Sequence, residues 1–347
     1  MHAPVFFNRP LTIGDLLDWT FRIYRARFGK LILITAIFFV PIGLLSALIT
    51  GQTMTGYLNI FMTLLQNPDV VADDQMFAAL QNNEGALVGL SCLLAPISLA
   101  LTGLVSLALT HQALTTVHNN EATIKQSIQE GWRRFWQWLG MYLISLIAYA
   151  GVTMVLGMLI LMIFFGLAFA VGSAGAFNSN PLSGAPEAVV VTGMILGLIC
   201  FYGLLFALIF GPFLYLYTRW TVAVPGIVDQ GWDAVEALKQ SWALTKGNVW
   251  RCFGYNLLLY LFYSVIYGSL MALGFGAAAL VITSAAWASV AVFALVSSLL
   301  PILWQPIQSA AHAMLYLDLR MRNESYDLEM RITQLEEELG RDAPAAL

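Results

Sequence analysis

The stretch LTIGDLLDWTFRIYRARFGK, residues 11–30, predicts how the chain is organised. Its apolar and aromatic residues recur at helical spacing and, at ~100° per residue, fall within about 80° of one another; they are Ile13, Leu17, Phe21, Tyr24 and Phe28. An uncharged apolar run follows directly after Lys30. The stretch therefore predicts an amphipathic helix that leads into a membrane-spanning helix.

The same pattern occurs twice more, each time before a long apolar run. The second copy is Ile124, Ile128, Trp132, Phe135 and Leu139, and the third is Ala234, Leu238, Trp242, Thr245 and Val249. Ile13 and Ile124 are 111 residues apart, and Ile124 and Ala234 are 110 residues apart. We interpret this as a threefold parallel repeat, with pseudo-repeats at about 12–111, 123–218 and 233–317.

Composition indicates a membrane protein. Of the 347 residues, 59% are hydrophobic and 10% are charged, whereas a soluble domain usually contains about 25% charged residues. The net charge of −4 argues against a nucleic-acid partner. No Cys-x-x-Cys or Cys/His spacing of a metal site occurs, so neither a metal nor a cofactor is expected.

Six apolar runs are long enough to cross a bilayer, since a span needs roughly 20 residues. They are predicted at 31–50, 86–111, 139–171 and 188–218, with two more in the uncharged segment 252–317. The predicted fold class is an all-α polytopic membrane protein. Its six transmembrane helices form three hairpins, each preceded by an amphipathic helix and each closed by a loop, at 51–85 and 172–187 in the first two. Residues 1–320 would form the membrane domain and 321–347 a helical tail.

The distribution of basic residues predicts the orientation. All 16 Lys and Arg residues fall in the N-terminal segment, the stretches 112–138 and 219–251, and the tail, whereas the loops 51–85 and 172–187 contain none. Basic residues mark the cytoplasmic side of membrane proteins. Both termini and all three amphipathic helices are therefore predicted to be cytoplasmic.

The amphipathic helices have two open interpretations. They would lie in the lipid headgroup layer, or pack beneath the bundle as a lid. Tryptophans at 19, 132, 136, 138, 242 and 250 suit the membrane interface, where indole is enriched. The candidates for lipid contact are Trp19, Arg22, Arg25, Trp132, Arg133, Arg134, Trp242 and Lys246.

Two polar groups near the last span suggest contacts within the protein. The alternating charges Asp318, Arg320, Arg322, Glu324 and Asp327 would dock onto the amphipathic helices through ion pairs, or form a solvated face. Gln305 and Gln308 flank Pro306 and would bond a freed carbonyl or a neighbouring helix.

Three motifs carry a family resemblance. LTIGDLLDWTFRIYRARFGKLI (Leu11–Ile32), LKQSWALTKGNVWRCFG (Leu238–Gly254) and AHAMLYLDLRMRNESYDLE (Ala311–Glu329) resemble a bacterial family of membrane domains. The family is named after glycerophosphoryl diester phosphodiesterase and is related to the YciC-like six-span proteins. The resemblance implies a six-span fold in a bacterial plasma membrane.

The resemblance does not imply hydrolase activity. In fused members of the family a separate soluble domain carries the phosphodiesterase chemistry, and no His-Arg-Gly or Glu-Asn-Thr motif of that domain occurs here. We therefore expect a protein that is not an enzyme.

Three functional hypotheses follow. The first is a non-enzymatic scaffold or lipid-interacting module, whose partners are membrane lipids, anionic ones included, and a cytoplasmic or membrane protein. The second is a permease or permease subunit for a small or lipidic substrate, with spans kinked at Pro41, Pro96, Pro212 and Pro306. The third, a membrane-embedded enzyme acting on lipid, needs clustered ionisable groups that the predicted spans lack.

Overall fold

The computed structural model describes the backbone of residues 11–66, 74–118, 122–177, 203, 206, 208, 210–281 and 286–323. Side chains are described for 11–49, 89–90, 92–118, 122–162, 165, 203, 206, 208, 210–273 and 300–323. Within this part of the chain the secondary structure is helical and contains no strand. The helices are α1 (Ile13–Ala26), α2 (Phe28–Gln66), α3 (Asp74–Val117), α4 (Ile124–Arg133), α5 (Phe135–Phe177), α6 (described over residues 210–220), α7 (Ala223–Gln230), α8 (Ala234–Thr245), α9 (Val249–Val281) and α10 (Ala286–Asn323).

Four helices in the described residues are long and apolar enough to cross a membrane. Their apolar stretches are Phe28–Ile49, Cys92–Val117, Phe135–Met162 and Val249–Leu273. They coincide with the predicted first, second, third and fifth runs. Most of the predicted fourth run, many side chains of the sixth, and the tail beyond 323 lie outside the described residues, so the total of six spans stays a prediction.

The prediction of a loop over 51–85 is wrong for most of its length. α2 continues to Gln66 and α3 already begins at Asp74. The segment 51–66 is rich in good helix formers and contains no proline, so nothing ends the helix where the apolar span ends. Pro68 follows shortly after Gln66 and is a residue that cannot continue a helix.

Each of three short helices is joined to a long apolar helix by a very short link. Arg27 alone separates α1 from α2, Arg134 alone separates α4 from α5, and residues 246–248 separate α8 from α9. The first two short helices begin with capping boxes, in which Thr12 pairs with Asp15 and Thr123 with Gln126. Asp233 is the corresponding N-cap residue of α8.

The buried face of the short helices differs from the predicted apolar stripe. In α1 the buried residues are Leu16, Thr20 and Ile23, which lie about 90° around the helix from the predicted stripe at 100° per residue. The stripe residue Phe28 is instead exposed. Offsets of 111 and 110 residues relate the buried positions, since Ser127 and Gly131 are buried in α4, and Ala237 and Ser241 in α8.

A buried hydroxyl on each short helix bonds a long helix. Thr20 Oγ1 lies 3.1 Å from the Tyr255 hydroxyl of α9. Ser127 Oγ donates to Gln112 Oε1 of α3 at 2.7 Å. Ser241 Oγ donates to the Arg219 carbonyl oxygen of α6, also at 2.7 Å. Small residues on this face also allow close approach, because a Cβ on Gly131 would lie 3.1 Å from the Leu104 carbonyl oxygen.

The C-terminal half of α10 is the centre of the fold. Among residues 309–320 every side chain except His312 is buried, and α10 packs against α1, α2, α3 and α9. A helix that is buried on all sides must lie inside a bundle. The stretch 309–320, rather than 11–30, is therefore the part around which the other helices pack.

The predicted docking of the charges after the last span is confirmed for the described residues. Asp318 is fully buried and accepts hydrogen bonds from the Leu11 backbone N–H at 3.0 Å and from Arg251 Nη2 at 3.0 Å. Arg322 Nε donates to the same carboxylate at 3.1 Å. Arg320 Nη1 lies 3.0 Å from Asp229 of α7. Glu324 and Asp327 lie outside the described residues.

We expect Asp318→Asn to lower the free energy of unfolding by about 3 kcal/mol, because it removes the anion that a partly buried Arg251 and Arg322 share. Thermal unfolding in detergent, followed by reaction of the buried Cys252 thiol with a maleimide dye in a Cys92→Ser/Cys200→Ser background, measures the change. Glu236→Gln, at an exposed site, is the control. Equal unfolding temperatures for the two variants would contradict the prediction.

Candidate functional site

The predicted lipid-contact residues are mostly exposed. Arg22, Arg25, Trp132, Arg133, Trp242 and Lys246 are exposed, whereas Trp19 and Arg134 are half-buried. Arg22 lies over the Trp19 ring, with its guanidinium carbon 4.7 Å from the ring centroid. We call the exposed surface of α1, α4, α8 and the three links that follow them the collar.

Cations recur at equivalent positions of the collar. Arg22 and Arg133 are both nine residues after the first residue of their short helix, and Arg25 and Lys246 are both twelve residues after it. These positions lie in the last turn of the short helix or just beyond it, next to the long apolar helix. Cations at this place face the level where lipid headgroups begin.

Tryptophans mark the start of two long helices. Trp136 is 74% exposed and Trp250 is 85% exposed, and each is the second residue of its helix. Trp132, at 67% exposed, precedes the first of these. The prediction is wrong for Trp138, which is buried because its ring packs on Tyr142 and covers Gly103 of α3.

Two of the predicted candidates are also engaged in contacts within the protein. The Arg219 guanidinium carbon lies 4.5 Å from the centroid of the Trp242 ring, and Arg219 Nη2 donates to the Tyr215 hydroxyl at 2.9 Å. Arg134 Nε donates to Glu130 at 3.1 Å, and its guanidinium lies against Gly231, which ends α7 with a positive φ of 73°. Trp242 and Arg134 therefore join helices as well as facing outward.

A cleft of about 420 Å³ lies between α6, α9 and α10. Aromatic side chains line most of it: Phe206, Phe210, Phe253, Tyr260, Tyr263 and Trp304. Phe206 and Phe210 stack at 4.2 Å between ring centroids, and Tyr263 and Trp304 lie 5.0 Å apart. The exposed faces of Phe206, Leu257 and Tyr260 leave the cleft open on the outer side of the long helices.

Polar side chains line the end of the cleft that is closest to the collar. Gln308 Nε2 lies 3.4 Å from the Tyr217 hydroxyl, which confirms that Gln308 bonds a neighbouring helix. His312 packs edge-on to the Tyr217 ring. Asn256 Nδ2 donates to Thr221 Oγ1 at 3.0 Å.

The sequence analysis missed this cleft, although it contains one signal for it. Asn256 is a polar residue inside a long uncharged apolar run, and polar groups at membrane depth are costly and commonly functional. The aromatic lining cannot be recognised from the sequence, because it comes from three separate helices.

A second, polar hollow of about 510 Å³ lies beside α4 and includes His111, Glu130 and Arg133. His111 Nδ1 lies 3.2 Å from Ser127 Oγ, the buried hydroxyl that anchors α4. In the described residues no group of three His, Cys, Asp or Glu side chains is close enough to hold a metal ion.

We expect Arg219→Lys to destabilise the protein by about 1–2 kcal/mol, since lysine has no planar fork for Tyr215 and stacks less well on Trp242. The thermal unfolding assay described for Asp318 measures the change. Lys239→Arg alters an exposed cation of α8 and should stay within about 0.5 kcal/mol of the unmodified protein. A similar small effect for Arg219→Lys would show that the stacked guanidinium contributes nothing specific.

The comparisons with known proteins agree with the resemblance noted in the motifs. Residues 191–340 match the family described as the membrane domain of glycerophosphoryl diester phosphodiesterase. No curated protein and no solved structure matches the chain. The matched region contains the cleft, the Arg219 contacts and Asp318. Over residues 191–340 this integral membrane protein is thus similar to the family of glycerophosphoryl diester phosphodiesterase membrane domains, which confirms the predicted resemblance.

Proposed function

We propose that the protein is a non-enzymatic, lipid-interacting module of a bacterial plasma membrane, in which the collar contacts anionic headgroups and presents a scaffold to a protein partner. The observation that carries this proposal is the composition of the collar. At the links between short and long helices, exposed tryptophans occur together with exposed cations, as in Trp132 with Arg133. This combination is typical of protein surfaces at the headgroup level.

The proposed arrangement has six spans in three hairpins, each preceded by a collar helix. Contacts of α2 with α3 and of α9 with α10 support the first and third hairpins. The equivalent positions of Thr12, Thr123 and Asp233 as N-caps support the threefold repeat. In this arrangement the buried faces of α1, α4 and α8 pack on protein while their outer faces meet lipid, so the two interpretations of the amphipathic helices are combined.

The proposal that the chain is not an enzyme is supported by the match, which is to a membrane domain. The permease alternative gains no observation from the described residues, because the cleft between α6, α9 and α10 is largely apolar. A transport path for a polar solute would be lined by polar groups along its length.

We expect Arg25→Gln/Lys246→Gln to reduce the preference for phosphatidylglycerol over phosphatidylcholine, by about fivefold at each lost contact, because a cation near the headgroups contributes about 1 kcal/mol. Spin-labelled lipids in nanodiscs that hold the full chain measure this preference. Both residues are exposed and lie next to a long helix.

The matched control is Lys125→Gln/Lys239→Gln. It removes the same charge from exposed sites in the first half of α4 and of α8, away from the links. We expect this variant to keep most of the preference. Equal losses in both variants, or no loss in either, would contradict a lipid contact located at the links.

The orientation has its own test. Cysteines introduced as Lys125→Cys or Lys239→Cys should react with a membrane-impermeant maleimide only after the cells are opened, because the collar is proposed to be cytoplasmic. The unmodified chain, which has three cysteines of its own, sets the background. Reaction in intact cells would place the collar on the outer side.

A further inference from the structure

The cleft between α6, α9 and α10 has a polar level and an aromatic level. The polar level contains Tyr217, Asn256, Gln308 and His312. It lies at the end of α6, the beginning of α9 and the end of α10, which are the helix ends nearest the collar. The aromatic level, with Phe206, Tyr263 and Trp304, is further along the same three helices.

The length of the cleft corresponds to one leaflet. From Phe253 to Tyr263 the lining of α9 covers about 15 Å at 1.5 Å per residue. This is half of the roughly 30 Å thickness of the bilayer hydrocarbon. The charged level of Arg251 and Asp318 lies about 7 Å from Asn256 along α9, by the same rise. The polar level is therefore just inside the level of the headgroups.

Asn256 presents an acceptor that needs a donor. Its Nδ2 is held by Thr221, which fixes the orientation of the amide. Its Oδ1 is buried and has no hydrogen-bond partner among the described residues. A buried carbonyl oxygen without a partner costs free energy, so a hydroxyl brought to this end of the cleft would be stabilised there.

The described lining carries no carboxylate and no lysine or arginine. Arg219, which is close in sequence to Thr218, is occupied by Tyr215, Trp242 and Thr245. A phosphate at the polar level would lose its hydration without gaining a cation. The lining therefore favours an uncharged head.

We propose that this cleft binds an uncharged acyl lipid with a free hydroxyl, of the mono- or diacylglycerol class. Its hydroxyl would donate to Asn256 Oδ1, and one acyl chain would lie along Phe210, Tyr260 and Trp304. The proposal deepens and rests on the proposed function, in which the collar end of these helices is at the membrane surface.

A monoacylglycerol that carries a photoreactive diazirine in its chain tests the proposal in nanodiscs that hold the full chain. Mass spectrometry should locate most of the labelling on peptides of α6, α9 and α10. Unlabelled mono-oleoylglycerol should compete about fivefold better than methyl oleate, which has no hydroxyl. Labelling spread evenly over the long helices, or equal competition by methyl oleate, would overturn the proposal, as would stronger competition by the anionic lysophosphatidylglycerol.

Two variants make the test specific. Leu257→Trp fills the cleft and should remove most of the labelling, whereas Val265→Trp, at an exposed site of α9 outside the lining, should not. Asn256→Leu should keep the labelling but lose the preference for the hydroxyl. If Asn256→Leu kept that preference, or if Leu257→Trp and Val265→Trp gave equal labelling, the cleft would not be the site.

The collar variant Arg25→Gln/Lys246→Gln separates this proposal from the proposed function. It should leave the labelling of the cleft unchanged, while Leu257→Trp should leave the preference for phosphatidylglycerol unchanged. Loss of cleft labelling in the collar variant would mean that the signal depends on the collar and would overturn a separate site.

Discussion

The buried carboxylate of Asp318 imposes the arrangement of the helix ends beside the collar. A carboxylate that is removed from water must be surrounded by donors, and here these come from the start of α1, the start of α9 and α10 itself. Arg251 and Arg322 also donate to the Leu11 carbonyl oxygen, so both polar groups of that peptide are satisfied. The position of the first short helix is therefore coupled to that of the last long helix.

Much of the fold could be predicted because its signals are local. Apolar runs predict long helices, and Thr12 with Asp15 is a local signature of a helix start. The central position of α10 could not be predicted, since lipid-facing and core-facing side chains are both apolar in a membrane protein. The apolar pattern therefore does not say which helix lies at the centre.

The buried face of the short helices was misassigned for a related reason. Aromatic residues were expected to face the protein, yet Thr20, Gly131 and Ser241 do so. In membrane helix packing, small residues allow close approach and hydroxyls bond across the contact. At this interface the large apolar side chains are more useful on the outside. The collar residues were largely identified from the sequence because charge and indole content are visible there, whereas the cleft depends on tertiary contacts between α6, α9 and α10.

The contact between Leu11 and Asp318 also constrains the order of assembly. These residues are separated by 307 positions in the chain, and contacts of such long range form late because much of the chain must be ordered first. During synthesis α1 emerges first but cannot acquire its anchoring carboxylate until α10 has been made and inserted. The first short helix therefore waits at the membrane surface for the last helix, and its docking is a step that follows translation of the whole domain.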